Sequence, residues 1–522
     1  MQNQIKKASS YKASDLMRRI FFTAFAVLFS LLFLQVLFAN PHFEYDIPVL
    51  LLFVTFWCAL FAGLYFLTNR SRLAPLLEKR EKIFLAAFFI LQILTQIFFH
   101  LQTGGYPSFD LEKVFYGSLN FTVNGFIEEP FLDYFYKYPH NMPLVILLQF
   151  VFRAFYRLGI PMEQFFLLGV IIGAASMLLT YLFVYLCARR LFGVRQAFFA
   201  IMLLYLCIPL QSYVSVFYTD TLTLPFAPLA LYCYLRVRDA KTRKERFFAA
   251  AAMSAGLAFG VTLKYSVVIV LIALLTDMLL NRKWRQLLAS IGVFLAVFAV
   301  LTWQFNRYMY AHFLDEEIAA DKATPFTSWI MMSLAGDGSH NAYDNDRVWY
   351  YETAEEKRQE ARQQIQERLA ARSLGEHLVF YNQKGLRSFG SGNLDAVRWV
   401  VDVPIRDTAL SRLMTPNQHG FKVFDTLMQG YYVSLFALLV IGAALSAKQK
   451  DYTVFVPCLV TFGLYLFLLL WEASQRYLLN FYGMYILAAV FAAGKLAALL
   501  KTKETRSTEK ISLSEGQNEA AH

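Results

Sequence analysis

Asp110, Asp220, Lys264 and Arg476 are ionisable residues that stand at the ends of long apolar runs. A charge at the edge of a hydrocarbon layer is costly, so each invites a functional explanation. Asp110 closes the stretch Gly104-Gly105-Tyr106-Pro107-Ser108-Phe109-Asp110. A carboxylate there could take the proton of an attacking hydroxyl as a general base; it has equally the residue type of an N-cap for a helix over 111–119. Asp220, in Tyr218-Thr219-Asp220-Thr221, also has the residue type of an N-cap. Lys264 stands between two apolar runs, where its ammonium could hold a phosphate as a point charge or simply snorkel. Arg476, in Glu472-Ala473-Ser474-Gln475-Arg476-Tyr477, could grip a phosphate through two parallel N–H donors, or pair with Glu472 one helical turn away. The stretch from Tyr134 to Pro143 carries Lys137 and His140 among four tyrosine and phenylalanine rings that suit a lipid–water boundary. Glu128, Glu129 and Asp133, just before it, are alternative carboxylates.

The elements that must position these residues follow from composition. Of 522 residues, 57% are hydrophobic and 17% charged, with 51 Phe and 30 Tyr. Soluble domains run near ~45–50% apolar and ~25% charged, so a soluble enzyme, a disordered chain and a collagen-like fibre are excluded. The apolar runs are continuous, which excludes an outer-membrane barrel. The chain reads as an all-α polytopic membrane protein with about twelve spans, near 19–39, 48–68, 83–101, 164–187, 196–210, 218–236, 246–262, 265–280, 286–305, 427–446, 452–470 and 478–500. The segment 143–158 is apolar but carries Arg153 and Arg157, and reads as an interfacial helix.

Charge then sets the sidedness. The loops 69–82, 188–195, 237–246, 281–285 and 447–451 are rich in Arg and Lys, whereas 40–47 holds only Glu44 and Asp46 and 102–142 is acidic. The positive-inside rule puts the basic loops and both termini in the cytoplasm of a cell membrane, and Asp110, Asp220, Lys264 and Arg476 at the outer rim. Residues 1–18 are then a basic cytoplasmic N-terminus and 19–101 the first three spans. Residues 102–163 form a first extracytoplasmic loop with its interfacial helix, and 164–305 a six-span core. A large extracytoplasmic loop, 306–426, precedes the last three spans, 427–500, and a disordered cytoplasmic tail, 501–522. In the large loop, Glu352 to Arg372 reads as a solvated, charge-laced helix. The net charge of +11 belongs to these loops rather than to a nucleic-acid surface. Cys58, Cys187, Cys207, Cys233 and Cys458 form no C-x-x-C pair and read as small buried hydrophobes.

Taken in order, several short motifs carry a family likeness. They are the Asp of the first outer loop, the Tyr138-Pro139 element before an interfacial helix, and Tyr185-Leu-Cys-Ala-Arg-Arg-Leu-Phe-Gly193. Tyr218-Thr-Asp220-Thr-Leu, Gly260-Val-Thr-Leu-Lys264-Tyr and Gln475-Arg476-Tyr477-Leu-Leu follow. This series resembles the GT-C superfamily of integral-membrane glycosyltransferases, in the bacterial branch related to protein O-mannosyltransferases and the lipid A aminoarabinose transferase. The likeness covers about 83–310 and 427–500. Two spans precede the usual first one, the proline element reads Tyr-Pro-His-Asn, and Asp110 is followed by Leu111-Glu112 where protein mannosyltransferases carry an Asp-Glu pair.

The resemblance implies an enzyme that takes a sugar from a polyprenyl-phosphate carrier at the outer membrane face and passes it to a cell-envelope acceptor, a glycopolymer, glycolipid or protein. It implies Asp110 as the base, with Lys137, Asp220, Lys264 and Arg476 binding substrate or carrier phosphate. It names no metal ligand; a divalent cation stays open as a cofactor. The segment Ser328-Trp329-Ile330-Met331-Met332-Ser333-Leu334, followed by Gly336-Asp337-Gly338, resembles Gram-positive members of this group. The rival reading is a transporter or flippase of lipid-linked sugars, which would call for inverted repeats or broken helices near the midplane; the sequence displays neither. A non-catalytic scaffold for envelope synthesis is a third.

Overall fold

The structure is a computed structural model that describes residues 2–400 and 404–519, with side chains described from Lys12 to Thr502. It is all-helical: among the described residues the one β-type contact is an isolated bridge between Gly105 and Pro404.

Among the described residues, eight helices are long and apolar enough to cross a membrane: Lys12–Phe38, Ile47–Asn69, Glu81–Thr103, Met162–Phe192, Arg243–Leu263, Trp284–His312, Phe421–Gln449 and Gln475–Thr502. A ninth candidate is the pair Val194–Tyr205 and Ile208–Ser215, bent by 69°. The other three segments expected as spans are shorter helices, Phe226–Asp239, Tyr265–Leu280 and Phe455–Leu470. The bend is a feature the sequence did not betray. Its strain is relieved internally, because the Gln211 amide donates to the Tyr205 carbonyl at 2.9 Å and to the Tyr181 hydroxyl at 2.6 Å, and accepts from Gln92 at 2.8 Å. A break inside a bilayer is tolerated when neighbouring polar groups satisfy the freed backbone in this way.

Local chemistry explains many of the ends. Asp46 caps Ile47–Asn69 by accepting the Val49 N–H, with Pro48 in the first turn. Thr242 with Glu245, Thr353 with Glu356 and Ser373 with Glu376 form reciprocal capping boxes. Met142–Arg157 is a 16-residue helix that buries Leu144, Val145, Leu148 and Phe152 on one side.

Burial orders the bundle. Windows of Phe421–Gln449 and Gln475–Thr502 are 61% and 56% buried, against 17% for Ile47–Asn69 and Trp284–His312. The first two are therefore central, and the outer pair turn apolar side chains to the lipid, which takes the place of water as their solvent. Two tyrosines of Phe421–Gln449 use backbone acceptors: Tyr431 donates to the Leu203 carbonyl at 2.7 Å and Tyr432 to that of Phe389 at 2.8 Å. Cys58 departs from expectation, being exposed on an outer helix, while the other four cysteines are buried and free.

The basic loops meet at one end of the bundle. Arg195 pairs with Glu78 at 2.9 Å, Arg189 with Glu81 at 2.7 Å, Arg190 with Asp239 at 3.0 Å, Arg18 with Asp277 at 2.7 Å and Lys495 with Asp451 at 2.6 Å. The long loops cover the opposite end. There the charged helix Ala354–Ala370 is not merely a solvated face. Its Lys357, Glu360, Ala361 and Gln364 are buried. Glu360 accepts from Tyr351 at 3.0 Å and pairs with Arg347 at 2.5 Å, and Arg368 grips Asp344 with two 2.7 Å bonds. Lys384, also buried, ties this cover to the bundle through the carbonyls of Ser333 and Leu469, both at 2.9 Å. The polar stretch after Lys501 continues as helix to Glu519, and its side chains beyond Thr502 lie outside the description.

Candidate active site

Asp110 is the second residue of helix Phe109–Asn124, and Ser108 occupies the N-cap, so the capping role is not the one Asp110 performs. The chain reaches this point through a turn only glycine permits: a Cβ on Gly104 would stand 2.4 Å from the His100 carbonyl oxygen. The Asp110 carboxylate accepts the Tyr134 hydroxyl at 2.9 Å, and the Tyr218 hydroxyl lies 3.3 Å from its other oxygen. Asn141 joins the two phenols, donating to Tyr134 at 2.7 Å and accepting from Tyr218 at 2.9 Å. Tyr218 has one proton and gives it to Asn141 at the shorter distance, so four groups from three segments form a ring with three hydrogen bonds, closed by the 3.3 Å approach of Tyr218 to Asp110. Burial first, and the Asp110 charge second, push the Tyr134 phenol well above its ordinary range, so it stays a donor.

Asp220 occupies the same kind of position, second in the short helix Thr219–Leu222, where Tyr218 is the N-cap residue. Its surroundings are the reverse. It is 1% exposed and forms ion pairs with the Lys264 ammonium and, at 3.4 Å, with Arg476 Nε. Asn480 donates to its backbone carbonyl at 2.6 Å. Lys264 is held in an extended conformation between helix Arg243–Leu263 and the turn Tyr265–Val267, its ammonium 4.6 Å from the Tyr477 ring centre. Arg476 lies 3.6 Å over the Trp399 ring. The alternative pairing of Arg476 with Glu472 does not form; Glu472 instead accepts the Tyr477 hydroxyl at 2.8 Å. Arg476 is 8% exposed, and its Nε and Nη1 lack hydrogen-bond acceptors.

Asp110, Lys264 and Arg476 line one cavity of about 610 Å³. Tyr134, Tyr138, His140, Asn141, Tyr218, Glu472 and Tyr477 add polar groups, and Trp329, Phe467 and Trp471 an aromatic wall. Trp329 and Trp471 stack in parallel at 5.4 Å. Burial pushes the His140 imidazole down to about 4, with Asp110 opposing the shift and Lys264 adding to it, so it is neutral near pH 7. Asp220 lies behind the cavity wall as counterion to its two cations. Two cations against one carboxylate give that side of the cavity a local positive charge, the side that suits an incoming anion, while Asp110 and Glu472 add two carboxylates elsewhere in its lining.

Lys137 is not brought into the cavity. Its ammonium turns away to Asp133 at 2.8 Å and lies 4.4 Å from the Trp349 ring centre, because its neighbour Tyr138 takes the inward-facing position. Asp133 is held by Lys137 and Lys322, and Glu128 by Asn124 at 2.8 Å. Sequence reasoning passed over Asn141, Trp399 and Asn480. Asn141 stands in the Tyr-Pro-His-Asn element but was given no role there, and no local pattern marks Trp399 or Asn480, since each of the three contacts a residue more than 70 positions away. The cavity does not suit a divalent cation: Asp110 is surrounded by phenols and an amide, Asp220 is spent on two cations, and among the described residues no cluster of three or more His, Cys, Asp or Glu could hold a metal.

A family model described as conserved hypothetical integral membrane protein matches residues 11–496. The chain belongs to this family. As a member of this integral membrane protein family, it has its long apolar helices in a bilayer. The chain is also similar to two crystal structures of ArnT from Cupriavidus metallidurans, one bound to undecaprenyl phosphate and one in the apo state. Both are 16% identical to it, with TM-scores of 0.35 and 0.36, covering 79% and 80% of this chain and 77% of each ArnT chain. No curated protein matches.

Proposed function

We propose that this protein is a membrane glycosyltransferase that moves a sugar from a polyprenyl-phosphate donor to a cell-envelope acceptor at the outer face of the cell membrane. The observation that carries the reading is the division of one cavity between a carboxylate held by phenols and two cations, Lys264 and Arg476, that share a single counterion behind its wall. The charge bias of the loops supports the outer-face orientation.

In this reading an acceptor hydroxyl attacks the anomeric carbon while its proton passes to Asp110. The bond from that carbon to the phosphate oxygen breaks, and the electron pair leaves with the phosphate. Lys264 and Arg476 stabilise the negative charge that develops there. Tyr134 and Tyr218 orient the carboxylate. With the acceptor attacking opposite the leaving phosphate, this reading expects inversion at the anomeric carbon. No step is routed through a metal.

The test uses purified protein in lipid, radiolabelled polyprenyl-phosphate sugars and an envelope fraction as acceptor. Transfer by the wild type, lost in Asp110→Asn, is the expected result. Full transfer by that variant overturns the base. Movement of lipid-linked sugar across a liposome bilayer without any transfer overturns the reading in favour of a transporter.

A further inference from the structure

The stretch 390–400 belongs to the large loop, yet it is fastened into the bundle. The Gly392 N–H donates to Gln429 at 2.6 Å, Asn393 to Asp425 at 3.0 Å, and the Leu394 carbonyl accepts Tyr213 at 2.7 Å. Asp395 accepts the Ser474 hydroxyl at 2.5 Å and the Arg476 backbone N–H at 3.3 Å. Leu394 and Asp395 both adopt left-handed backbone conformations, φ 54° and 57°. Side chains with a Cβ resist that region, and consecutive residues hold it only when their surroundings dictate it. The outcome is a short helix, Ala396–Trp399, that delivers one indole to the back of the cavity.

That indole touches both halves of the site. The Arg476 guanidinium carbon lies 3.6 Å from its ring centre. The Tyr218 ring is parallel to it within 11°, at 6.2 Å. Phe109, the residue before Asp110, packs on it at 5.1 Å. Trp399 does not line the cavity itself. We propose that Trp399 is a positioning residue that sets the distance and orientation between the general base and the phosphate-binding arginine. The inference rests on the glycosyltransferase reading for the roles of those two groups. A flat face over Arg476 holds its guanidinium plane through the ring quadrupole without using any of its N–H donors. The contacts with Tyr218 and Phe109 bear on the phenol beside Asp110 and on the residue preceding it. One side chain therefore transmits a displacement at either end to the other.

Two measurements test this. The first needs no ligand. The emission of Trp399, taken as the difference between the parent and Trp399→Phe, is compared in three proteins: wild type, Arg476→Gln and Tyr218→Leu. A shift in both variants is expected; a shift in one or neither overturns the coupling. The second compares Trp399→Leu with Trp399→Phe for undecaprenyl phosphate affinity and for the pH profile and kcat of transfer. Trp399→Leu is expected to weaken binding about tenfold and lower kcat with a changed profile, and Trp399→Phe to stay within about threefold of wild type. A merely structural role would lower the yield of folded protein and leave affinity, kcat and profile of the folded fraction unchanged, which overturns the proposal. If wild type itself neither binds nor transfers, the glycosyltransferase reading fails, and the fluorescence result still decides whether Trp399 joins the two halves.

Discussion

Asp110 and Asp220 begin alike and end differently. Each is the second residue of a helix whose N-cap is an extended residue, and each was readable from sequence as an acid near a membrane surface. Asp110 faces two phenols and an amide and borders the cavity; Asp220 faces two cations and lies behind it. Neutral donors leave a carboxylate free to accept a proton from outside. Two cations consume it. The contrast teaches that the chemistry of a carboxylate is set by what the tertiary structure brings to its oxygens, not by its place in a helix.

The comparison is broken or sharpened by substitution. Asp110→Asn keeps the shape of the ring and removes the base, so transfer should fall ~10²–10⁴-fold while the unfolding temperature in detergent changes little. Asp220→Asn should do the reverse first. Two buried cations lose their counterion, which costs about 3–5 kcal/mol, read as a lower unfolding temperature and poor recovery of folded protein. If Asp220→Asn is stable and merely inactive, the division of roles is wrong. Arg476→Lys keeps the charge and loses the planar fork, and should weaken binding of undecaprenyl phosphate about tenfold.

A smaller effect concerns pH. His140 is depressed to about 4 by burial, whereas the unfolded chain binds that proton near ~6.5. Between those values the unfolded state holds more protons, so stability rises with pH through the window and is lost as pH falls from about 6.5 towards 4. His140→Gln should recover part of this loss, roughly 2 kcal/mol at pH 4.5 after allowing for the side of the ring that borders the cavity, seen as a flatter dependence of unfolding temperature on pH. Lys137→Gln, outside the cavity and partly exposed, should alter stability by less than ~0.5 kcal/mol and transfer by less than about twofold. A large loss there would return Lys137 to the carrier-binding role that its motif suggested.

Much of the fold was legible because hydropathy and charge act over contiguous residues. The helical segments, the amphipathic Met142–Arg157 and the basic loops gathered at one end all follow from that. The 69° break between Val194–Tyr205 and Ile208–Ser215 was not legible. It depends on Gln92 and Tyr181 reaching Gln211 from other helices. The charged helix Ala354–Ala370 was visible as a helix, but its burial of Glu360 depends on Arg347 and Tyr351 arriving from the preceding segment.

By itself the amino-acid sequence determined that this chain is an all-helical membrane protein, since apolar length and continuous runs allow no other way of satisfying the backbone in lipid. It also marked Asp110, Asp220, Lys264 and Arg476, because ionisable residues at the ends of apolar runs are conspicuous. Only the tertiary structure decided that three of them share a cavity, that Asp220 neutralises its two neighbours, that Lys137 turns outward, and that Asn141 and Trp399 connect the parts. Partner choice among side chains is a matter of distances between segments far apart in the chain. Local composition carries no record of those distances.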